Sequence, residues 1–182
     1  DGYIGNFRTV LATGDKEHEY GHGVVIVAVG AKESRPSEYL YGQDSRVVTQ
    51  SELEEIIVSH PEEVRKCRNI VMIQCVGSRI PARPNCSRVC CSVAVKNALK
   101  IKELSPDSEI TVLYRDIRTY GFTEHYYSLA RQKGVTFVPY ELETKPELSS
   151  QDGALKLRAR DRMLGEDIYL APDLVVLSTA II

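Results

Sequence analysis

"IQCVGSRIPARPNCSRVCCSVAVKNALKIKEL", Ile73–Leu104, holds four of the chain's five cysteines. The apolar run Ile70–Val76 predicts a buried strand, and Ser87–Leu104 carries the spacing of a helix. A strand leading through a loop into a helix opens a nucleotide-binding α/β domain, and that loop is where a G-x-G-x-x-G fingerprint belongs. Here it reads Gly77-Ser78-Arg79-Ile80-Pro81-Ala82-Arg83-Pro84-Asn85, with one glycine and two prolines. It is too long for the fingerprint turn. The acidic residue that would hold a ribose about 20 positions on is missing; Asp116 lies nearly twice as far along, behind Arg115. Ordinary NAD(P) binding is therefore not expected. What remains is a weak anion site at Gly77, Ser78 and Arg79, backed by the helix N-terminus.

Working outward, "NIVMIQCV" and the helix lead to a strand "EITVLYR" (Glu109–Arg115) and a loop "DIRTYGF". Thr123 should cap a helix running to about Lys133, which Gly134 stops. "VTFVPY", a two-sided strand "ALKLRAR", a turn "DRMLGED" and "IYLAPDLVVLST" complete the chain. This order predicts a doubly wound, mainly parallel Rossmann-like α/β sheet with helices on both faces plus a β-hairpin or meander. That is the plan of the NAD(P) domain in two-dinucleotide flavoproteins. Upstream, Thr49 and Glu52 form a capping box ahead of Leu53, Ile56 and Ile57, and Pro61 ends that helix or starts a short next one.

Residues 1–31 read as a strand "NFRTVLAT", a polar turn region "GDKEHEYGHG" and a continuous apolar strand "VVIVAVGA". A similar apolar run returns in "APDLVVLSTAII". Two such runs at the flanks suggest one domain inserted between halves of another. The chain opens without Met and stops inside a hydrophobic run, so it reads as a piece of a longer protein. With 182 residues, 43% hydrophobic, it can bury one core, or one core and a small lobe. A net charge of −2 gives no basic field, which argues against nucleic acid and anionic membranes as partners. No stretch approaches the ~18 apolar residues of a membrane span.

The cysteines are spaced C-x10-C-x3-C-C: Cys75 at the strand end, Cys86 at the helix start, Cys90 and Cys91 one turn later. On a helix, Cys86 and Cys90 share a face and Cys91 lies a quarter turn round. All four then converge at the carboxyl end of the strand, where open α/β sheets bind ligands. The helix N-terminus and nearby arginines favour thiolates, the form that binds metal. Clustered cysteines of odd number also point to a reducing compartment. Four thiolates suit an iron–sulfur cluster or a structural zinc. Redox thiols and plain packing of Cys90 with Ala94, Ala98 and Ile101 are the alternatives. Zinc sites pair their ligands as C-x2–4-C, and adjacent cysteines are awkward around one tetrahedral ion, which favours a larger cluster. Cys67, in "RKCRN", reads as a bystander, and His18, His22, His60 and His125 as solvated residues.

"IQCVGSR", "CSRVCC", "AVKNALKIKEL" and "VLYRDIRTYGF" closely resemble the heterodisulfide reductase A family, as do "GYIGNF", "YLYGQDSRVVTQSELEE" and "LVVLST". The resemblance covers nearly the whole chain. It implies a cytoplasmic iron–sulfur flavoprotein with a thioredoxin-reductase-like core, of which this is an internal fragment. Residues 1–45 would be the tail of one half of the FAD domain, and 46–182 the inserted NAD(P)-domain equivalent. It further implies a [4Fe–4S] cluster on Cys75, Cys86, Cys90 and Cys91, and FAD in the parent protein with its site mostly outside this fragment. The implied partners are B- and C-like subunits, with a hydrogenase, a formate dehydrogenase or ferredoxin as electron donor. Two departures stand out. The ferredoxin-like module many members carry after "GNF" is absent, and the family's closing "ATG" is Ser178-Thr179-Ala180. The parent would be an oxidoreductase relaying electrons to or from flavin, with no turnover expected of the fragment alone. Two other readings are an NAD(P)H-binding domain of a flavin-dependent disulfide oxidoreductase and a non-catalytic domain with structural zinc.

Overall fold

Seven of the eight residues of Asn69–Val76 are buried, as only a strand paired on both edges and covered on both faces can be. A computed structural model describes every residue from Asp1 to Ile182, in two compact units, Asp1–Ala31 and Lys32–Ile182. The first contains β1 (Gly2–Tyr3), β2 (Asn6–Thr13) and β3 (Lys16–His22). The second runs β4 (Val47–Thr49), α1 (Gln50–Ser59), α2 (Pro61–Lys66), β5 (Asn69–Val76), α3 (Cys90–Leu104) and β6 (Glu109–Tyr114). It continues through α4 (Glu124–Gln132), β7 (Val135–Pro139), β8 (Glu147–Gln151), β9 (Ala154–Asp161), β10 (Glu166–Leu170) and β11 (Leu174–Thr179).

In the second unit, β4-β11-β5-β6-β7 form a five-stranded sheet in which every neighbouring pair is parallel. Residues of alternate parity along β5 feed two separate cores. Ile70 and Met72 join Leu53, Val64, Ala98, Ile101 and Ala130 from the four helices. Val71 and Ile73 join Leu155, Leu157 and Ala159 from β9. The Rossmann-like class is as expected, but the layering is more specific. All four helices pack on one face, and the antiparallel meander β10-β9-β8 covers the other. The strict alternation along β9, exposed then buried from Ala154 to Asp161, is what allows one strand to roof a core and still face water.

Local chemistry explains the element starts. Thr49 Oγ1 accepts from the Glu52 amide at 3.3 Å, and Glu52 Oε2 accepts from the Thr49 amide at 2.8 Å, so the expected capping box opens α1. Thr123 does not cap α4. A 3-10 turn at Gly121–Thr123 precedes the helix, and the Thr123 hydroxyl donates instead to the Tyr120 carbonyl at 2.8 Å.

The compact unit begins at Lys32, ahead of the 45/46 boundary expected from sequence. Lys32 and Ile182 exchange two backbone hydrogen bonds, of 2.7 and 2.8 Å, and Tyr39, Leu40 and Tyr41 pack against the meander-side core. The loop-like composition of residues 32–48 concealed these contacts.

In the first unit, "GDKEHEYGHG" is not a polar turn. Lys16–His22 forms β3, paired antiparallel with β2 from Phe7↔His22 to Thr13↔Lys16, and the turn itself is Gly14-Asp15. His22 is held rather than merely solvated: its ring nitrogens lie 2.7 Å from Thr9 Oγ1 and 2.9 Å from the Val24 carbonyl. The apolar strand expected at "VVIVAVGA" is absent, since no ladder partner lies beside it; Val24, Ile26, Val27 and Val29 are each more than 70% exposed.

Candidate metal centre

Strand β5 does not end regularly. Against β11 its register runs Leu177↔Ile73 and then Thr179↔Val76, so three steps along β5 match two along β11. The extra residue is a bulge at Gln74-Cys75, where Cys75 takes a left-handed φ of 63°. A non-glycine residue in that region is sterically strained and persists where its surroundings hold it. Here the holding contacts are visible. The Tyr140 hydroxyl donates to the Gln74 carbonyl at 2.6 Å, and the Ser78 amide donates to the Cys75 carbonyl at 3.3 Å.

Cys90 and Cys91 occupy the first turn of α3, and both are buried with Cys75. The positive end of the helix macrodipole lies there, which favours a thiolate. Cys86 is not on the helix, as the spacing had suggested. Arg88, with φ 64°, breaks the chain before Val89, and α3 begins only at Cys90. Cys86 therefore reaches the site from the loop, with its sulfur accepting from the Arg88 amide at 3.3 Å.

Cys90 lies within electrostatic reach of the other three thiols. Cys90 donates to Cys91, which together with burial pushes the Cys90 thiol far up; Cys91, Cys75 and Cys86 add to that push. The same hydrogen bond lowers Cys91 to about 7 against the cost of its burial, helped by the Arg118 amide and the charges of Arg118 and Arg79. Burial also raises Cys75, while the hydrogen bond and charge of Arg79 pull the other way. No group of three or more His, Cys, Asp or Glu side chains stands ready to hold a metal ion.

Arginines frame the thiols. Arg79 Nη1 lies 3.8 Å from Cys75 Sγ, and its Nη2 pairs with the Asp116 carboxylate. Arg118 reaches the same carboxylate at 3.5 Å, and Arg115 donates to the Arg79 carbonyl at 2.7 Å. Cys91 Sγ sits 3.6 Å from the Asp116 carbonyl. Of the loop read as an anion site, Ser78 is buried, and Arg79 is turned onto Cys75 and Asp116.

Sequence reading missed two participants. Asp116 appears along the chain only as a misplaced ribose ligand. Gln74 looks like one more residue of a buried strand, yet both polar atoms of its side chain are buried without a partner, as is Thr179 Oγ1. A glutamine inside "NIVMIQCV" was the available signal, because an apolar strand gains nothing from an amide it cannot satisfy. Cys67 lies elsewhere: its sulfur donates to the Glu63 carbonyl at 3.4 Å at the end of α2, and it packs against the helical core.

No protein-family model matches the chain. Among curated proteins it is 36% identical, over 88% of its length, to an iron-sulfur A-type subunit of the CoB–CoM heterodisulfide reductase of Methanopyrus kandleri. It is also 36% identical, over 92%, to the A-type subunit of the H(2):CoB-CoM heterodisulfide,ferredoxin reductase of Methanothermobacter thermautotrophicus. Along its length the chain is homologous to heterodisulfide reductase A. The aligned part spans only 27% and 28% of those two relatives. Among solved structures, the FAD-bound cadaverine monooxygenase of Erwinia amylovora superposes with a TM-score of 0.55 at 10% identity, over 97% of this chain and 48% of that one. T. acidophilum thioredoxin reductase superposes with a TM-score of 0.50 at 13% identity, over 95% and 48%. The similarity to heterodisulfide reductase A thus comes with a fold shared with these flavin-binding and thioredoxin reductase structures, while the loop after β5 here holds a single glycine. No helix is long and apolar enough to cross a membrane.

Proposed function

We propose that this chain supplies the cysteine ligands of a [4Fe–4S] cluster in a cytoplasmic, flavin-dependent oxidoreductase of the heterodisulfide reductase A type. One observation carries the reading. Cys75 ends a central strand of a parallel sheet at a bulge, Cys86 lies in the loop that follows, and Cys90 and Cys91 open the next helix, with Cys90 and Cys91 buried side by side and Arg79 donating to Cys75. The donor set is all thiol, and iron–sulfur clusters are held by thiolates. The name of the Methanopyrus relative, an iron-sulfur protein, supports it. An orphaned buried amide at Gln74 beside Cys75 also fits a site with a further polar occupant.

A cluster held there would take up and release electrons one at a time. The residues of this chain serve it in three ways. The bulge at Cys75 turns one ligand, burial of Cys75, Cys90 and Cys91 keeps water away, and Arg79 and Arg118 offset thiolate charge. FAD belongs to the parent protein, largely outside these residues, and its exchange with the cluster is the relay we infer. B- and C-like subunits are the proposed partners, with a hydrogenase, a formate dehydrogenase or ferredoxin as donor. The names of relatives that mention ferredoxin and H(2)/formate support those donors. No turnover is expected of this chain alone. An anion at Gly77, Ser78 and Arg79 would have to compete with the Asp116 carboxylate for Arg79, which weighs against the NAD(P)H reading.

The test is anaerobic reconstitution with iron, sulfide and zinc analysis. About four irons and four sulfides per chain, with broad visible absorption, is the expected result. Ser at Cys75, Cys86, Cys90 or Cys91 should each diminish the signal, and Cys67→Ser should not. Stoichiometric zinc with no iron would instead establish the structural-zinc reading.

A further inference from the structure

One side chain in the site bridges two loops and touches a thiol while doing so. Arg79 points one nitrogen of its fork at Cys75 Sγ, 3.8 Å away, and the other at the Asp116 carboxylate. Its side chain is only 16% exposed, against 50% for Asp116. Its backbone is fixed as well: φ is 56°, and its carbonyl accepts from Arg115 at 2.7 Å. Asp116 in turn offers its own carbonyl to Cys91 at 3.6 Å. A planar fork with donors in fixed directions suits two acceptors set apart like this, whereas a lysine ammonium is a point charge.

We propose that Arg79 is a positioning residue that donates to the Cys75 sulfur of the loaded site and raises the midpoint potential of the cluster, with Asp116 fixing its aim. The proposal rests on the cluster reading above and adds a named control of its potential. Reduction adds one electron to an already anionic thiolate-bound site. A cation hydrogen-bonded to one of its sulfurs stabilises the reduced form more than the oxidised one, and such hydrogen bonds and charges are what set cluster potentials. Removing Arg79 therefore lowers the potential.

The experiment is an EPR-monitored redox titration of the anaerobically reconstituted protein, as wild type, R79Q and R79K. In R79Q the reduced-to-oxidised ratio at a fixed potential should fall about tenfold, equivalent to about 59 mV for one electron. R79K keeps the charge and loses the fork, so it should recover part of that shift. A merely structural role would change how much cluster is loaded without moving the midpoint of the loaded fraction. A loaded R79Q with the wild-type midpoint overturns the proposal. If R79Q does not load, a loaded R79K with the wild-type midpoint overturns it too. Failure of both variants to load overturns it as well, since Arg79 is then needed to build the site and not to tune it. A wild-type chain that takes up no iron is a different outcome: it sinks the cluster reading, and this proposal with it.

Discussion

The hydroxyl of Tyr140 donates to the carbonyl of Gln74 across 2.6 Å, joining the bulge of β5 to the residue that follows β7. Both residues are buried, so solvent does not reach the carbonyl to replace that donor. Tyr140→Phe keeps the ring in the core and leaves the carbonyl unpaired. It should cost about 1–3 kcal/mol in urea unfolding. Because the bond clamps the bulge, the reconstituted cluster of this variant should also be lost faster in air than that of the wild type.

A nicotinamide titration addresses the loop directly. NADH or NADPH added to the protein should give no saturable binding below roughly millimolar, because the glycine turn is missing and Arg79 is engaged. A micromolar dissociation constant would favour the dehydrogenase-like alternative.

At the start of α1 the capping box can be dissected. Thr49→Ala removes the acceptor for the Glu52 amide and should lower stability by about 1 kcal/mol, read as a drop in unfolding midpoint with an unchanged m-value. Glu52→Ala should cost more, because Glu52 also accepts from the Tyr41 hydroxyl at 2.7 Å and so ties the pre-sheet loop to the helix.

Asp44 gives a pH signature. Hydrogen bonds from the Arg46 side chain and amide hold its carboxyl down at about 2, below its ordinary 3.8. A depressed carboxylate contributes its stability above the unfolded value and loses it as pH falls through the folded one, so the loss should run from about pH 4 to about pH 2. Arg46 is partly exposed, so the effect should be no more than about 1 kcal/mol. Asp44→Asn should flatten that limb of the pH–stability curve and leave neutral stability lower by a similar amount.

The uncovered apolar run at Val24–Val29 should make the protein associate. Replacing Ile26 and Val27, which are 85% and 79% exposed, with lysine should reduce light scattering at high concentration without changing the unfolding midpoint of the sheet domain. A lowered midpoint would mean that these side chains support the fold.

What the sequence disclosed follows from which forces are local. The short, β-branched apolar runs within Asn69–Val76 and Leu174–Thr179 favour buried strands, and the alternation along β9 favours one exposed and one covered face. The four cysteines stood out because thiols at that spacing have few reasons to coincide. Which layer covers the second face was not legible, because a meander and a helix bury the same kind of sheet surface. Nor was the bulge at Cys75, since a left-handed backbone at a cysteine has no composition cue of its own. The failed cap at Thr123 is a case of competition: a threonine hydroxyl can serve a helix amide or a nearby carbonyl, and tertiary geometry chose Tyr120.

The clasp between Lys32 and Ile182 has a mechanical meaning. Lys32 and Ile182 bring the two ends of the compact unit side by side, so a link between those positions would have little loop to close. The last strand's end is also wired inward. The Ile181 amide donates to Ser87 Oγ at 3.0 Å, and Ser87 is the neighbour of Cys86. A displacement of Ile181 is therefore delivered within one residue of Cys86, a cysteine that no helix or strand anchors, so the closure of the unit and that loop are parts of one linkage.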